Sequence, residues 1–151
     1  MANSRIRKVL RTGKLLIIGL VLSFNAGGLS NKYEFITQKE FKCLVDNVYY
    51  EARGESNEGM RLVAKTTINR ARDSRFPNNV CSVVYEPYQF SWTLKKPARI
   101  NKMEWDRVAV QTLHGIYHPS DALWFHSKKV KPVWRQGLKI VAIEGNHIFY
   151  R

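Results

Sequence analysis

The sequence is short of acidic residues, of cysteine and of the motifs that mark nucleotide and metal enzymes. Its 151 residues include 12 Asp and Glu against 25 Lys and Arg, with only 2 Cys and 5 Pro. It contains no G-x-S-x-G motif, no P-loop, no dinucleotide-binding glycine pattern and no H-E-x-x-H motif. Internal repeats and low-complexity tracts are also absent. These absences argue against nucleotide-dependent enzymes, zincin-type proteases and repeat proteins.

The composition that remains is that of one basic globular domain. Hydrophobic residues make up 44% of the chain and aromatic residues 12%, which is enough for a single core. The formal net charge is +13, and five of the cations lie before residue 15 in a segment without acids. Residues 31–151 therefore carry 20 basic and 12 acidic side chains, a formal charge of +8. Such a surface favours polyanions, namely nucleic acid, anionic lipid or the anionic polymers of a bacterial envelope.

Residues 1–30 have the order of an export signal. A basic segment precedes the apolar run Leu15–Phe24, and Ala26 and Gly28 fit the small positions before a cleavage site. The uncharged run from Leu15 to Asn31 is slightly short for a spanning helix and contains three glycines, so it also resembles the signal-arrest-release segments of some phage endolysins. We therefore expect residues 1–30 to be a signal peptide or such an anchor, with transient inner-membrane association. Either one takes residues 31–151 to the periplasm or cell wall, which weakens a nucleic-acid role.

The two cysteines, Cys43 and Cys81, permit one disulfide. The alternative is a pair of buried thiols. Export to an oxidising compartment favours the disulfide.

Three segments have helical periodicity, each preceded by a capping residue. Thr37, Ser56 and Asn101 are the expected N-caps, and Thr37 and Asn101 each have a Glu three residues on. The apolar positions that we expect to face the core are Phe41, Leu44, Val45, Val48, Tyr49 and Ala52; then Met60, Val63, Ala64, Thr67, Ile68 and Ala71; then Val108, Ala109, Leu113 and Ile116.

The last thirty residues have the pattern of short strands. Alternating segments at 122–126, 138–143 and 147–150 predict three strands, and Glu144-Gly145-Asn146 predicts a hairpin between the last two. A further short apolar element is expected at 80–85. Helices come first and a small antiparallel sheet comes late, so the expected fold class is α+β.

Glu51 is the candidate catalytic residue. It lies at the expected end of the first helix beside Val48, Tyr49 and Ala52, near the apolar boundary. Loss of solvation raises the pKa of a carboxyl group, which then remains protonated near neutral pH and can donate a proton. The alternative is an exposed glutamate at a helix end, paired with Arg53 or Lys65.

The other ionisable residues have weaker signals. Glu55 follows the helix break at Gly54, so we interpret it as a supporting residue that holds Arg53 or Arg61, with a second catalytic acid as the alternative. His114 and His118 have the i, i+4 spacing of metal ligands, but no third ligand accompanies them and no metal site is expected. Considered alone, His126 and His147 favour structural roles.

Aromatic and amide residues cluster between residues 69 and 134. Aromatic faces stack on sugar rings as readily as on bases, and Asn or Gln side chains can bind N-acetyl groups. The alternative is that about half of these aromatic residues belong to the core. The residues concerned are Asn69, Asn78, Tyr85, Tyr88, Gln89, Phe90, Trp92, Trp124 and Trp134.

Several motifs together resemble the SleB-like cell wall hydrolase family, the catalytic-domain family of spore-cortex-lytic enzymes that is also found in phage endolysins. The similarity extends from about Phe41 to Tyr150, and its combination of motifs is highly specific. They are Cys43-Leu44, Tyr50-Glu51-Ala52-Arg53-Gly54-Glu55, Glu58-Gly59, Val63-Ala64, Asn69-Arg70, Phe76-Pro77, Val80-Cys81-Ser82-Val83-Val84-Tyr85, Gln89-Phe90-Ser91-Trp92, Ala122-Leu123-Trp124-Phe125-His126 and Gly145-Asn146-His147-Ile148-Phe149-Tyr150.

The resemblance implies a lytic transglycosylase that acts on peptidoglycan glycan strands, with a lysozyme-like α+β fold and no cofactor. Glu51 matches the family's catalytic glutamate, which protonates the glycosidic oxygen between N-acetylmuramic acid and N-acetylglucosamine. It then acts as the base on the C6 hydroxyl and gives a 1,6-anhydro product, so a second carboxyl group is not needed. Asn69, Phe90 and His147 are expected to line or support the groove, together with Tyr85, Gln89 and Trp92, while Arg53 and Glu55 support the site.

Two departures from the family pattern affect this interpretation. Glu144 is inserted between Ile143 and Gly145, which leaves the hairpin geometry open, and we expect no separate peptidoglycan-binding repeat domain. We expect an endolysin-like, monomeric lysis enzyme. The alternatives are a hydrolytic muramidase that uses Glu51 and water, or a non-catalytic basic protein that binds the envelope or nucleic acid.

Overall fold

The computed structural model describes residues 36–95 and 98–151, so the predictions for residues 1–30 lie outside the described residues. Residues Phe35–Arg151 form one compact unit. Its elements are α1 (Gln38–Ala52), α2 (Asn57–Arg72), α3 (Val80–Val84), α4 (Lys102–Ile116), β1 (Trp124–Ser127), β2 (Ile140–Glu144) and β3 (His147–Tyr150), with 3-10 turns at Ser91–Leu94 and Val133–Arg135.

The helices begin at the three predicted caps. Thr37 accepts a hydrogen bond from the Glu40 amide, and the Glu40 carboxylate accepts one from the Thr37 amide at 3.0 Å, which completes a capping box. Ser56 and Asn101 accept from the amides three residues on, at 3.0 and 3.1 Å. The order of helices followed by a late sheet confirms the predicted α+β class. The short element at 80–85 is helical, as α3.

The core lies between the helices, and the face that α4 presents to it differs from the prediction. Val108, Thr112 and Gly115 are buried, whereas Leu113 is 50% exposed, so its predicted inward position is wrong. Gly115 explains the rotation, because a Cβ at this position would lie 2.6 Å from the Ala64 Cβ. The glycine permits close contact between α4 and α2 and thereby turns Leu113 outward.

The sheet is antiparallel with the order β1-β3-β2, so β3 is central. The predicted first strand begins later than expected, at Trp124, because Ala122 and Leu123 are buried in the approach to the sheet. The second begins at Ile140 and includes Glu144, which pairs with His147. Gly145 and Asn146 therefore form a two-residue turn, and the inserted Glu144 extends the strand without disrupting the hairpin.

The predicted disulfide joins Cys43 of α1 to Cys81 of α3. It links residues that are 38 positions apart in the sequence, and thus holds α3 against α1. Residues 85–92, here called the aromatic loop, follow α3 directly. None of the helices in residues 36–95 and 98–151 combines the length and apolar character that crossing a bilayer requires.

Candidate active site

Glu51 lies in the last turn of α1, beside the fully buried residues of its apolar stripe. Burial raises the pKa of its carboxyl group from 4.5 to about 7, and the charge of Arg70 partly opposes the shift. Among the described residues, no hydrogen bond contributes to this shift of the pKa. At neutral pH the group is therefore divided between a proton-donating acid and a carboxylate, which are the two forms that general acid–base catalysis requires.

The ion pairs that would have made Glu51 an ordinary surface residue are not formed. The guanidinium of Arg53 donates to the Tyr49 carbonyl at 3.4 Å and lies over the Tyr49 ring. Lys65 donates to the Ile116 carbonyl at 3.3 Å. Arg53 therefore caps the end of α1, and its contacts support the predicted supporting role.

The raised pKa of Glu51 predicts a pH-dependent stability. An acid whose pKa is higher in the folded state than in the unfolded state costs stability as pH rises from 4.5 to about 7. The cost is absent at pH 4 and complete above pH 8. We expect Glu51→Gln to increase the free energy of unfolding by about 2 to 3 kcal/mol at pH 8 and by almost nothing at pH 4. Urea unfolding of both proteins at the two pH values tests this, and equal effects at both would contradict the buried-acid interpretation.

Arg70 is a functional candidate that the sequence analysis missed. Its guanidinium is buried, donates from Nε to the Leu123 carbonyl at 2.6 Å and from Nη1 to Gln89 Oε1 at 3.0 Å. Phe76 and Phe90 flank it, with ring centroids 5.4 and 5.7 Å from Cζ. The sequence feature that could have indicated its burial is its helical spacing from Val63, which places Arg70 on the buried stripe of α2.

The charge of Arg70 persists at neutral pH despite its burial. Burial lowers its pKa to about 10, while the charges of Glu86 and Glu51 oppose the shift. The site therefore contains a fixed cation close enough to interact with the ionised form of Glu51. A proton donor beside such a cation keeps a lower pKa than burial alone would give it.

The aromatic loop contributes a wall whose members have different environments. Trp92 stacks on Tyr50 with ring centroids 4.6 Å apart, and its Nε1 donates to Asn47 at 3.1 Å. Tyr85 meets Trp92 edge-on at 5.9 Å and is 53% exposed. Phe90 is buried, and Gln89 accepts from Arg70. Tyr85 and Trp92 are thus placed to offer aromatic surface, whereas Phe90 and Gln89 support Arg70.

Glu55 braces the hairpin. Its carboxylate accepts from the Asn146 amide at 2.9 Å and from the Asn146 side chain at 3.0 Å. Burial tends to raise the pKa of Glu55, but these hydrogen bonds and the charges of His147 and Lys128 lower it overall. Gly145 has a φ of +51°, and a Cβ here would overlap the Glu55 carboxylate, so the turn requires glycine.

A second contact ties the same two segments. The Ser56 hydroxyl donates to Glu144 at 2.6 Å, so the loop after α1 is fastened to both sides of the β2–β3 turn. The prediction that Glu55 holds Arg53 or Arg61 is wrong. Arg61 Nε donates to Gln111 at 3.0 Å, and Arg53 contacts Tyr49. The expected supporting role of Glu55 stays a prediction that this brace favours.

The brace gives a second prediction. Glu55→Ala removes two hydrogen bonds that hold Asn146 and should lower the free energy of unfolding by about 1 to 3 kcal/mol. Because Glu55 does not donate the catalytic proton in this interpretation, glycan cleavage should fall by far less than in Glu51→Gln. Urea unfolding and product assays measure both effects. Loss of all cleavage in a folded Glu55→Gln protein would instead identify Glu55 as a second catalytic acid.

His147 is held beside this brace at the start of β3. It is buried, its ring meets Phe125 edge-on at 5.4 Å, and its Nδ1 has no hydrogen-bond partner among the described residues. Burial lowers its pKa, the charge of Glu55 opposes this, and His126 adds to it. A neutral imidazole with an unpaired buried nitrogen suits a hydrogen bond to a bound ligand, so His147 stays a candidate groove residue.

Asn69 lies apart from Glu51 in its contacts. Its side-chain amide donates to the carbonyls of Ser120 and Ala122 at 3.0 and 2.9 Å. It lines a cavity of about 470 Å³ next to His118, and a second cavity of about 380 Å³ shares His118; Glu51 lines neither. The chemistry of Glu51 must therefore be assigned from its electrostatics and neighbours, and these cavities are separate features.

The paired histidines do not form a metal centre. His118 contacts Glu58 at 2.7 Å and accepts from the Ser120 amide, while His114 is exposed. Within the part of the chain that the structure describes, no three His, Cys, Asp or Glu residues are grouped to hold a metal ion.

Comparison with known proteins agrees with this architecture. The Cell Wall Hydrolase family profile matches residues 54–150 and so begins just after Glu51. The spore cortex-lytic enzyme of Bacillus subtilis (strain 168) is 30% identical over 125 residues, 82% of this chain and 39% of that protein. That of Oceanobacillus iheyensis is 30% identical over 118 residues, 75% of this chain and 42% of that protein. The chain thus spans about two fifths of these relatives.

Solved structures give the same result for the fold. The catalytic domain of the Bacillus cereus SleB protein superposes with a TM-score of 0.65 at 25% identity, covering 83% of this chain and 99% of that domain. The catalytic domain of the germination-specific lytic transglycosylase SleB from Bacillus anthracis gives 0.63 at 24% identity, with 78% and 98% covered. These similarities confirm the predicted lysozyme-like α+β fold. With a family match over most of its described residues, the chain belongs to the cell wall hydrolase family.

Proposed function

We propose that this chain is a lytic transglycosylase that cleaves peptidoglycan glycan strands, with Glu51 as both general acid and general base. The observation that carries the proposal is the half-buried carboxyl group of Glu51, whose pKa is raised to about 7 at the end of α1. Membership of the cell wall hydrolase family supports peptidoglycan as the substrate. The names of the relatives, spore cortex-lytic enzymes and a lytic transglycosylase domain, support the reaction class.

In the first step, protonated Glu51 donates its proton to the glycosidic oxygen that links C1 of N-acetylmuramic acid to N-acetylglucosamine. The C1–O bond breaks and the N-acetylglucosamine leaves with a free hydroxyl group. Positive charge develops at C1, and the newly formed Glu51 carboxylate lies near it. Burial keeps Glu51 protonated before the step, so the proton is available for transfer at neutral pH.

In the second step, the Glu51 carboxylate removes the proton of the muramic C6 hydroxyl. The C6 oxygen bonds to C1 and closes a 1,6-anhydro ring, which restores protonated Glu51 without consuming water. One carboxyl group serves both steps. The engagement of Glu55 with Asn146 favours this single-acid scheme over one that needs two free carboxylates at a fixed separation.

Arg70 and the aromatic wall assist this chemistry in the proposal. The fixed cation of Arg70 stabilises the carboxylate between the two steps, when Glu51 is charged and poorly solvated. Tyr85 and Trp92 supply faces on which sugar rings can stack. His147 offers a neutral imidazole to a polar substituent, and no metal or cofactor is assigned a role.

The cellular setting is part of the same proposal. Residues 1–30 export the chain to the periplasm or wall, as a cleaved signal or as a temporary membrane anchor. There it acts as a monomeric, endolysin-like lysis enzyme. The formal charge of +8 on residues 31–151 supports attraction to an anionic envelope whether or not the signal is cleaved.

Mass spectrometry of digested sacculi tests the reaction. The purified chain should release muropeptides with 1,6-anhydro ends, and Glu51→Gln should release them about a thousandfold more slowly or not at all. Reducing-end products would keep the site and replace transglycosylation by hydrolysis. A folded wild-type protein that binds sacculi without releasing fragments would overturn the enzyme assignment in favour of a binding protein.

A further inference from the structure

The segment that connects β1 to β2 is basic and has apolar side chains at its surface. Residues 127–139, here called the basic loop, contain no acid. None of its cations forms an ion pair among the described residues. These cations are Lys128, Lys129, Lys131, Arg135 and Lys139.

Three apolar residues alternate with these cations. Val133 is 78% exposed, Val130 52% and Trp134 46%. The 3-10 turn Val133–Arg135 presents the side chains of Val133 and Trp134. Val130, Val133 and Trp134 are not part of the hydrophobic core, so their exposed apolar surface next to unpaired cations suggests a contact with a partner.

Trp134 is held in place from the inside. Its ring meets His126 at 5.6 Å and Tyr150 at 6.0 Å, both edge-on, and His126 in turn contacts the Tyr150 hydroxyl at 2.8 Å. The outward part of the indole is therefore presented by a rigid support. The loop also lies beside the candidate site, because the charge of Lys128 is close enough to lower the pKa of Glu55.

We propose that the basic loop docks on a bilayer surface rich in anionic phospholipid, with its lysines at the phosphates and Val133 and Trp134 in the interface. Lysine, tryptophan and aliphatic side chains in this combination match the successive layers of a membrane interface. A glycan strand explains the tryptophan but not the exposed valines, since sugar rings stack on flat aromatic faces. Docking places the catalytic unit against the membrane-proximal layer of the wall.

The test uses the full chain and a readout local to the loop, because residues 1–30 can bind lipid independently. Vesicles of phosphatidylglycerol and phosphatidylcholine, or of phosphatidylcholine alone, carry brominated acyl chains that quench tryptophan. The emission of Trp134 is obtained as the difference between the chain and Trp134→Phe, with circular dichroism as the folding control. Trp134 emission should be quenched on the anionic vesicles and remain unquenched on the neutral ones.

Matched variants separate the effect of the loop's own cations on lipid binding from the effect of net charge. Lys129→Gln with Lys131→Gln should raise the lipid concentration for half-quenching about 25-fold. Lys39→Gln with Arg99→Gln removes the same charge at exposed positions outside the loop and should change it less than threefold. Equal effects in both pairs, or an unquenched Trp134 on vesicles that retain the protein, would overturn the proposal.

Binding to lipid-free sacculi tests whether the basic loop contacts glycan instead of lipid. If the loop variant loses affinity for sacculi while Trp134 quenching is unchanged, the loop is a glycan contact and the lipid proposal is wrong. Quenching does not depend on catalysis, so it can also be measured in Glu51→Gln. Failure of the docking proposal and failure of the proposed enzymatic function are therefore read out separately.

Discussion

Replacing Glu51 by Gln is expected to lower the rate of glycan cleavage by about a thousandfold or more while leaving the fold intact. The amide has nearly the same shape but cannot donate a proton to the leaving oxygen, and positioned general acids contribute up to about 10⁴-fold to such reactions. The substitution also removes a carboxyl group that is costly to ionise in its buried setting. Release of anhydro-muropeptides from sacculi measures the effect.

The control for this experiment is Glu58→Gln, the same chemical change at the start of α2. Glu58 contacts His118 on the side of the molecule where the two cavities lie. Its replacement should leave cleavage within about threefold of wild type, since surface substitutions rarely change stability by more than about 0.5 kcal/mol. If Glu51→Gln cleaved as fast as Glu58→Gln, the catalytic acid would have to be another residue.

The second large effect is expected at Arg70. Arg70→Met removes the cation that opposes the upward shift of the Glu51 pKa, so this pKa should rise above about 7. The acid must be protonated for the first step, and activity is lost as pH rises through its pKa. In a plot of kcat/KM against pH, the fall on the alkaline side should therefore move to higher pH. The pH profile of cleavage on a soluble glycan substrate measures this shift.

Arg70→Lys is the matched variant, because it keeps the charge and loses the planar guanidinium. Its fall on the alkaline side should stay near that of wild type, even though both variants lose hydrogen bonds to Leu123 and Gln89. Arg70→Met should cost about 3 kcal/mol of stability, because it leaves buried acceptors unpaired and Glu86 without its neighbouring charge. A purely structural Arg70 would give equal pH profiles in the two variants.

These two residues show how differently a site can be encoded. Glu51 could be proposed from the sequence because its motif resembles a known family, whereas its position at a helix end by itself also fits an exposed glutamate. Arg70 was not proposed, because an arginine near a helix end is usually solvated. Its partners, Leu123 and Gln89, lie 53 and 19 residues away in the sequence.

The elements whose contacts are local followed from the sequence. Thr37, Ser56 and Asn101 cap their helices through bonds that span three residues, and the turn at Gly145 joins adjacent strands. Such interactions depend on few neighbours, so residue type and spacing determine them. The pairing of the two cysteines was predicted from their number and from the expected export signal, and the structure confirms it.

The tertiary structure alone decided which faces and which distant side chains meet. Leu113 has the spacing of a core residue, yet close contact at Gly115 turns it outward, because a glycine lets two helix backbones approach each other. The brace between Glu55 and Asn146 joins residues 91 positions apart, so no local pattern announces it. The sequence by itself thus determined the helices and the hairpin, and it indicated the disulfide and the candidate acid. Packing decided the environment of that acid, since burial and the charge of Arg70 depend on contacts between distant segments.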